Sequence, residues 1–316
     1  MDDIIAIGEI LIDLIGTGPL QFRGTVGGAP CNALAQAAKL GSRTAFIGMV
    51  GQDAFGRICA GQLDELGIDR THLAVTDRAD TTLAFVTLDE NGERDFTFYR
   101  RPGADTLLCV KHLPFDRIAQ CRVYLYGGVS LSRDPTRATV FYSLFKLAGT
   151  PVIKAFDPNL RPSLWEDLDE AKALGQKAMG LCDILKLSEE EAVFFSGCQD
   201  PLEGARRLQA EKKIPLVLVS MGAKGCSILW QGDCRQVPAY PVTAVDATAA
   251  GDSFFGAFLH RLLQSSIDRL DQVTWEQLTA AAQFASAAAA LTVSRRGSIP
   301  ALPTADEVEQ FCKQQD

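Results

Sequence analysis

The chain is 316 residues long, 47% apolar and near zero in mean hydropathy, which suits a soluble globular protein with a substantial core. Its formal net charge of −8, with no block of five or more Lys or Arg, argues against a nucleic-acid binder that works by neutralising phosphates. Nine scattered cysteines without a Cys-x-x-Cys pair, and a start without leader or membrane span, predict a reduced, cytoplasmic protein.

In chain order, Ile4–Ile10 is a continuous apolar run, as in a strand buried on both faces. Residues 11–26 are rich in glycine and β-formers and predict short strands and turns. Pro30 stands where a first helical residue belongs, so Ala29–Leu40 is predicted as a helix ended by Gly41. Thr44–Val50 reads as strand and Phe55–Leu66 as helix, with Asp53 as N-cap. Leu83–Leu88 and Arg94–Tyr99 flank Asp89-Glu90-Asn91-Gly92, whose Asn-Gly is the strongest short hairpin signal. With residues 11–26 this hairpin predicts a small β-sheet lid, over about 11–26 and 81–105.

After Leu113 strands and helices alternate. Val123–Tyr126, Val152–Phe156, Ile184–Leu187 and Leu216–Ser220 read as strands, Asp134–Leu147 as a helix, and further helices separate the later strands. Two more helices are predicted over Ala250–Leu263 and Trp275–Leu291. No long linker interrupts the α/β pattern, so 1–316 is expected to form a single domain with an inserted flap.

Neither a Gly-x-x-x-x-Gly-Lys-Ser/Thr loop nor a Gly-x-Gly-x-x-Gly between strand and helix is present. The informative stretch is Val245-Asp246-Ala247-Thr248-Ala249-Ala250-Gly251-Asp252-Ser253-Phe254-Phe255-Gly256. Small residues lead straight into an apolar helix, so its first N–H groups can face an anion unobstructed. Asp252 falls in the first turn, where the helix dipole keeps a carboxylate ionised and able to take a proton from a hydroxyl. An anion hole beside a carboxylate base is what phosphoryl transfer to an alcohol requires. An isolated Gly-Asp, however, is more often just a favourable first-turn acid.

A second cluster, Gly27-Gly28-Ala29-Pro30-Cys31-Asn32, opens the helix at Ala29 and is followed by Gly41, Gly48 and Gly51. In order and spacing the two clusters resemble the signatures of the ribokinase/PfkB carbohydrate kinase family: a Gly-Gly with an Asn a few residues on, then Asp-Thr-x-Gly-Ala-Gly-Asp. The likeness runs from Ile4 to about Thr304. It implies a ribokinase-like three-layer α/β core with a mostly parallel central sheet beneath a β-sheet lid. It also implies Asp252 as catalytic base, the backbone of Ala249, Ala250, Gly251 and Asp252 as anion hole, and Asp13, Gly28 and Asn32 as sugar contacts.

Asp157-Pro158-Asn159-Leu160-Arg161 is similar to the Asp-Pro-Asn-x-Arg of fructokinases and 2-keto-3-deoxygluconate kinases, with Arg161 as a donor to the phosphate; by itself it is a turn. Ser220-Met221-Gly222-Ala223-Lys224-Gly225 resembles the family's nucleotide-binding turn. Ser220, Gly222, Gly225 and Lys186 are accordingly expected as ATP contacts. Glu191 stands where the family's Asn-x-x-Glu serves Mg²⁺, although Ser188 replaces the Asn and Ser-x-x-Glu is also a capping box. Asp246 and Thr248, with carbonyls around Arg295–Gly297, are the counterparts of a monovalent cation site for K⁺. The runs Gly92–Arg100 and Gly297–Thr304 resemble the fructokinase lid strand and tail, with Arg100 or Arg101 as a substrate contact.

The resemblance thus implies ATP- and Mg²⁺-dependent phosphorylation of fructose to fructose 6-phosphate by a homodimer paired through its lid. A 2-keto-3-deoxygluconate or other carbohydrate kinase, or a non-catalytic binder of sugar and nucleotide, are the alternatives. Two departures bear on the choice: Ala247 replaces a Thr, and Ala249 replaces the first Gly of the anion hole. An N–H donor survives at Ala249, but a positive φ there would strain the loop by about 1–2 kcal/mol.

Overall fold

Every side chain of Ile4–Ile7 is buried, and the computed structural model shows the cause: this strand runs through the middle of a large sheet. The structure describes residues 1–18, 20–88, 94–265 and 269–315. In chain order its strands are β1 (Ile4–Ile7), β2 (Leu11–Gly18), β3 (Gln21–Gly27), β4 (Thr44–Gly51), β5 (Asp69–Thr76), β6 (Leu83–Leu88), β7 (Arg94–Tyr99), β8 (Val123–Gly127), β9 (Ile153–Asp157), β10 (Ile184–Ser188), β11 (Leu216–Ser220), β12 (Cys226–Trp230) and β13 (Asp233–Val237). The large sheet has the order β13-β12-β11-β10-β9-β8-β1-β4-β5. It is parallel from β11 to β5, with β12 and β13 antiparallel at one edge. A separate sheet has the order β3-β2-β6-β7.

The helices are α1 (Ala29–Lys39), α2 (Ala54–Glu65), α3 (Phe115–Ile118), α4 (Thr136–Lys146), α5 (Leu168–Met179), α6 (Glu189–Ser196), α7 (Pro201–Lys212), α8 (Ala250–Gln264), α9 (Trp275–Val293) and α10 (Ala305–Gln315). Side chains alternate across a strand, so β1 feeds two cores. Ile4 and Ala6 join Leu34, Phe255, Phe258 and Ala282 from α1, α8 and α9. Ile5 and Ile7 join Val140, Phe141, Met179, Phe195 and Leu208 from α4 to α7. One sheet between two helical layers gives the three-layer α/β architecture that the family resemblance implies.

The hairpin strands lie where the sequence predicts them, and Asp89-Glu90-Asn91-Gly92 falls outside the described residues. Asp53 caps α2, its Oδ1 accepting from the Gly56 N–H at 2.7 Å. Three strands escape the sequence reading. β5 is half-exposed and carries no apolar alternation, and β12 with β13 forms an antiparallel edge where a helix-separated strand is the expected continuation.

Two departures from the large sheet build the small one: after β1 the chain runs into β2–β3 before α1, and after β5 it runs into β6–β7. α1 begins at Gly28, whose φ of 110° only glycine adopts readily and where a side chain would strike the Glu9 carbonyl. α1 packs on α8 so closely that a Cβ on Gly256 would collide with the Ala33 carbonyl oxygen.

Candidate active site

A cleft of about 430 Å³ opens where the two sheets meet. Its walls are Glu9 after β1, Leu11 and Asp13 from β2, Phe96 and Phe98 from β7, Gly28, Ala29 and Asn32 at the start of α1, Val129 after β8, Asn159–Pro162 after β9, Lys186 on β10, and Ala247–Asp252 leading into α8. The positions after β1, β8 and β9 lie at the carboxyl ends of parallel strands, the edge where α/β sheets bind ligands.

Asp252 stands in the first turn of α8 and is 8% exposed. Its Oδ2 accepts from Asn32 Nδ2 at 2.8 Å and its Oδ1 from Asn159 Nδ2 at 3.3 Å. Burial, and then the charge of Asp157, push its carboxyl up to about 6, against Lys186, the Asn32 contact and Arg161, which favour ionisation. A group with that value is largely ionised at neutral pH and yet basic enough to receive a proton.

α8 has no side-chain cap, because its N-cap is Ala249, in the left-handed region at φ 59° and ψ 11°. Among the described residues the N–H groups of Gly251 and Asp252 have no hydrogen-bond partner, while Ser253 N–H already closes on the Ala249 carbonyl at 2.7 Å. Two unspent donors at the positive end of a fifteen-residue helix form an anion site. Lys186 stands beside them, about 2.9 Å from where a Cβ on Gly251 would sit. It is 6% exposed and donates to Asp157 Oδ2 at 2.8 Å. Burial disfavours its charge, but Asp157, Glu191 and Asp252 outweigh burial and hold the ammonium above its ordinary value.

Beside Asp252, Asn32 keeps a buried Oδ1 with no partner among the described residues. An unused acceptor costs about 1–3 kcal/mol when buried, a cost that a donating hydroxyl removes. Asp13 projects from β2 into the same space. Glu9, which the sequence shows only as the end of a strand, accepts from the Ala29 N–H at 3.1 Å, and burial pushes it up to about 7. Arg161 is half-buried, its guanidinium 5.1 Å from the Phe96 ring centre.

Other expected site residues lie elsewhere. Arg100 does not reach the cleft. It is buried in an ion pair with Asp105 at 2.7 Å and also donates to Ser132 Oγ, because the buried Asp105 demands a counter-charge. Arg101 lines a neighbouring cavity, not the cleft. Ser220 ends β11, and Gly222 and Gly225 sit in the turn to β12; all three lie outside the cleft walls, with Ser220 Oγ donating to the Leu187 carbonyl at 3.1 Å.

Glu191 does form the capping box, exchanging bonds with Ser188, and its other oxygen accepts from the Leu160 N–H at 2.7 Å. Asp246 holds the loop before α8, accepting from Thr248 N and Oγ1 and from Gly297 N at 3.0 Å. Glu191 therefore keeps different neighbours from Asp246 and Thr248. No cluster of three His, Cys, Asp or Glu side chains fit for a metal occurs among the described residues. A larger hollow, about 1070 Å³, lies at the amino ends of β9 to β11, where Lys154 and Arg269 are paired with Asp183 and Asp271.

The profile of the pfkB family carbohydrate kinases matches residues 1–305. The chain belongs to the pfkB carbohydrate kinase family. This kinase is 36% identical to Fructokinase-1 of Oryza sativa subsp. japonica, over 96% of each chain. It is similar in structure to Xylella fastidiosa fructokinase with bound ATP, at a TM-score of 0.92 and 30% identity over 100% of this chain and 99% of that one. It is also similar to a fructokinase double mutant from Vibrio cholerae O395 in a fructose-, ADP- and potassium-bound form, at a TM-score of 0.90 and 32% identity over 98% and 99%.

Proposed function

We propose that this kinase transfers the γ-phosphoryl group of ATP to a hydroxyl of fructose, giving fructose 6-phosphate and ADP. The observation that carries the reading is the buried Asp252 carboxylate directly beside the two unspent N–H groups of α8. The likeness over almost the whole chain to fructokinases, one with fructose and ADP bound, supports the substrate pair.

Asp13, Gly28 and Asn32 bind the sugar hydroxyls, with Phe96 and Phe98 closing over the ring as a lid. Asp252 accepts the hydroxyl proton as the oxygen bonds to γ-phosphorus and the bond to the ADP oxygen breaks. The N–H groups of Gly251 and Asp252, with Lys186 and Arg161, neutralise the phosphoryl charge. Ser220, Gly222 and Gly225 hold the nucleotide at the end of β11, beside β10.

Of the carboxylates at this edge, Asp157 keeps an oxygen open to magnesium, while both Glu191 oxygens also accept backbone N–H groups. Asp157 Oδ1 is buried with no partner among the described residues, and the charge of Asp157 acts on Glu191. When bound, the ion would screen the phosphate charge, and these two residues would hold it. Asp246 and Thr248, tied to Gly297, suit a monovalent cation under the anion site.

The outer face of the lid carries Phe22, Phe85 and Tyr99 as a continuous row, with ring centres 5.0 and 5.1 Å apart. Tyr99 is 65% exposed. Two copies paired through this face make the homodimer. Among the described residues no helix is long and apolar enough to cross a membrane. All nine cysteines are free, five of them buried, which suits a cytoplasmic location.

The test is ADP release from ATP and Mg²⁺ with fructose, glucose, ribose, 2-keto-3-deoxygluconate and adenosine, for the wild type and Asp252→Asn. Fructose should give the highest turnover, and Asp252→Asn should lose about 10²–10⁴-fold in kcat. Turnover with another sugar only would move the specificity. Undiminished turnover in Asp252→Asn would remove the base.

A further inference from the structure

Asp252 is gripped from two sides: by Asn32, from α1, on Oδ2 and by Asn159, from the turn after β9, on Oδ1. The outer torsion of an aspartate is broad, so a single contact leaves the carboxylate free to swing about its Cβ–Cγ bond. A second contact on the other oxygen fixes that rotation. Asn159 reaches Asp252 from a left-handed backbone with φ 41°, a conformation that asparagine and glycine tolerate best among residues. The same turn presents the Asn159 carbonyl to Arg161 Nη1 at 3.3 Å. The two asparagines differ in their remaining tasks. Asn32 has an unused Oδ1 beside the sugar space, so substrate hydroxyls engage it directly.

We propose that Asn159 is a positioning residue that, with Asn32, fixes the plane of the Asp252 carboxylate for the incoming hydroxyl and holds it while the sugar engages Asn32. This inference rests on the reading of Asp252 as the base. An amide N–H bound to a carboxylate favours its ionised form, as the Asn32 contact does on Asp252 against burial and Asp157.

The experiment uses the full chain with Asn159→Gly and Asn159→Asp, two residues that accept a left-handed backbone and lack the amide N–H, with folding checked by thermal melting. We expect kcat to fall about tenfold while KM for fructose and ATP stays near wild type, the pattern of lost orientation. The acid limb of the kcat–pH profile should move up by about one unit for Gly, and further for Asp, whose charge repels. Wild-type kcat and acid limb in both variants would overturn the role. So would a raised KM with an unmoved acid limb, which marks a purely structural turn. Asp252→Asn, measured alongside, separates the two readings. If it turns over normally, the base and the inference both fail; if it is inactive while the Asn159 variants keep the wild-type limb, only the role of Asn159 fails.

Discussion

Ala249→Gly should make this protein more stable, although glycine usually weakens the start of a helix. Ala249 lies at φ 59° and ψ 11°, where its Cβ crowds the following peptide. A non-glycine residue there costs about 1–2 kcal/mol. Glycine removes that cost but loses about 0.4–1 kcal/mol more chain entropy on folding. The difference leaves a net gain of about 0.5–1 kcal/mol, or about 1–2 °C in Tm for a chain of this length. Calorimetry on the wild type and the variant measures it, and Ala250→Gly supplies the control. Ala250 has no positive φ, so the same substitution one residue later should destabilise by about 0.5 kcal/mol. Turnover of Ala249→Gly should match the wild type, because the N–H groups of Gly251 and Asp252 are untouched. Equal destabilisation by both substitutions would refute the left-handed assignment at Ala249 and the strain derived from it.

Asp252 should set the acid limb of kcat/KM near pH 6, with activity falling as pH drops through that value and the carboxylate takes a proton. A limb that stays with Asp252→Asn would assign it to another group. The same shift acts on stability. A carboxyl raised from 3.8 to about 6 in the folded state contributes stability below about pH 4 that is lost as pH rises through 6. Asp252→Asn should therefore be more stable than the wild type at pH 8, by up to about 3 kcal/mol, and lose that advantage at pH 4. Urea melts at the two pH values check it, and equal midpoints at both would contradict the shift. Tyr99→Glu with Phe22→Glu should leave a folded monomer, because each places a charge in the aromatic row. Light scattering that reports the wild-type mass for the double substitution would refute the proposed pairing through this face.

Much of the scaffold is written in local signals. Buried runs such as Ile4–Ile7 and Leu216–Ser220 have no polar interruption, and the lid hairpin was legible because Asn-Gly separates two β-rich segments. β5 was not legible, since Asp69-Arg70-Thr71-His72 presents no apolar face until the strand has begun to pair with β4. At the site, Asp13, Gly28, Asn32, Lys186 and the 249–252 segment, which the family resemblance pointed to, line one cleft. Arg100 did not, because a sequence shows a cation without showing the buried acid that captures it. Asn159 and Glu9 were hidden for a related reason: a turn asparagine and a strand-end glutamate look ordinary until their partners, Asp252 and the Ala29 N–H, arrive from distant segments.

The near contact of α1 and α8 at Gly256 has a consequence for how such a molecule can change over generations. Asn32 and Asp252 ride on two helices locked backbone to backbone, so the geometry of the proposed proton removal tolerates little drift. Asp13, Phe96 and Phe98 ride instead on the small sheet, which is built from two excursions of the chain and shapes the cleft from the outside. On the proposed roles, substitutions there can alter which polyol is held while the proton acceptor stays where it is. The molecule thus separates an inherited reaction from an adjustable choice of substrate, with the boundary running through the cleft itself.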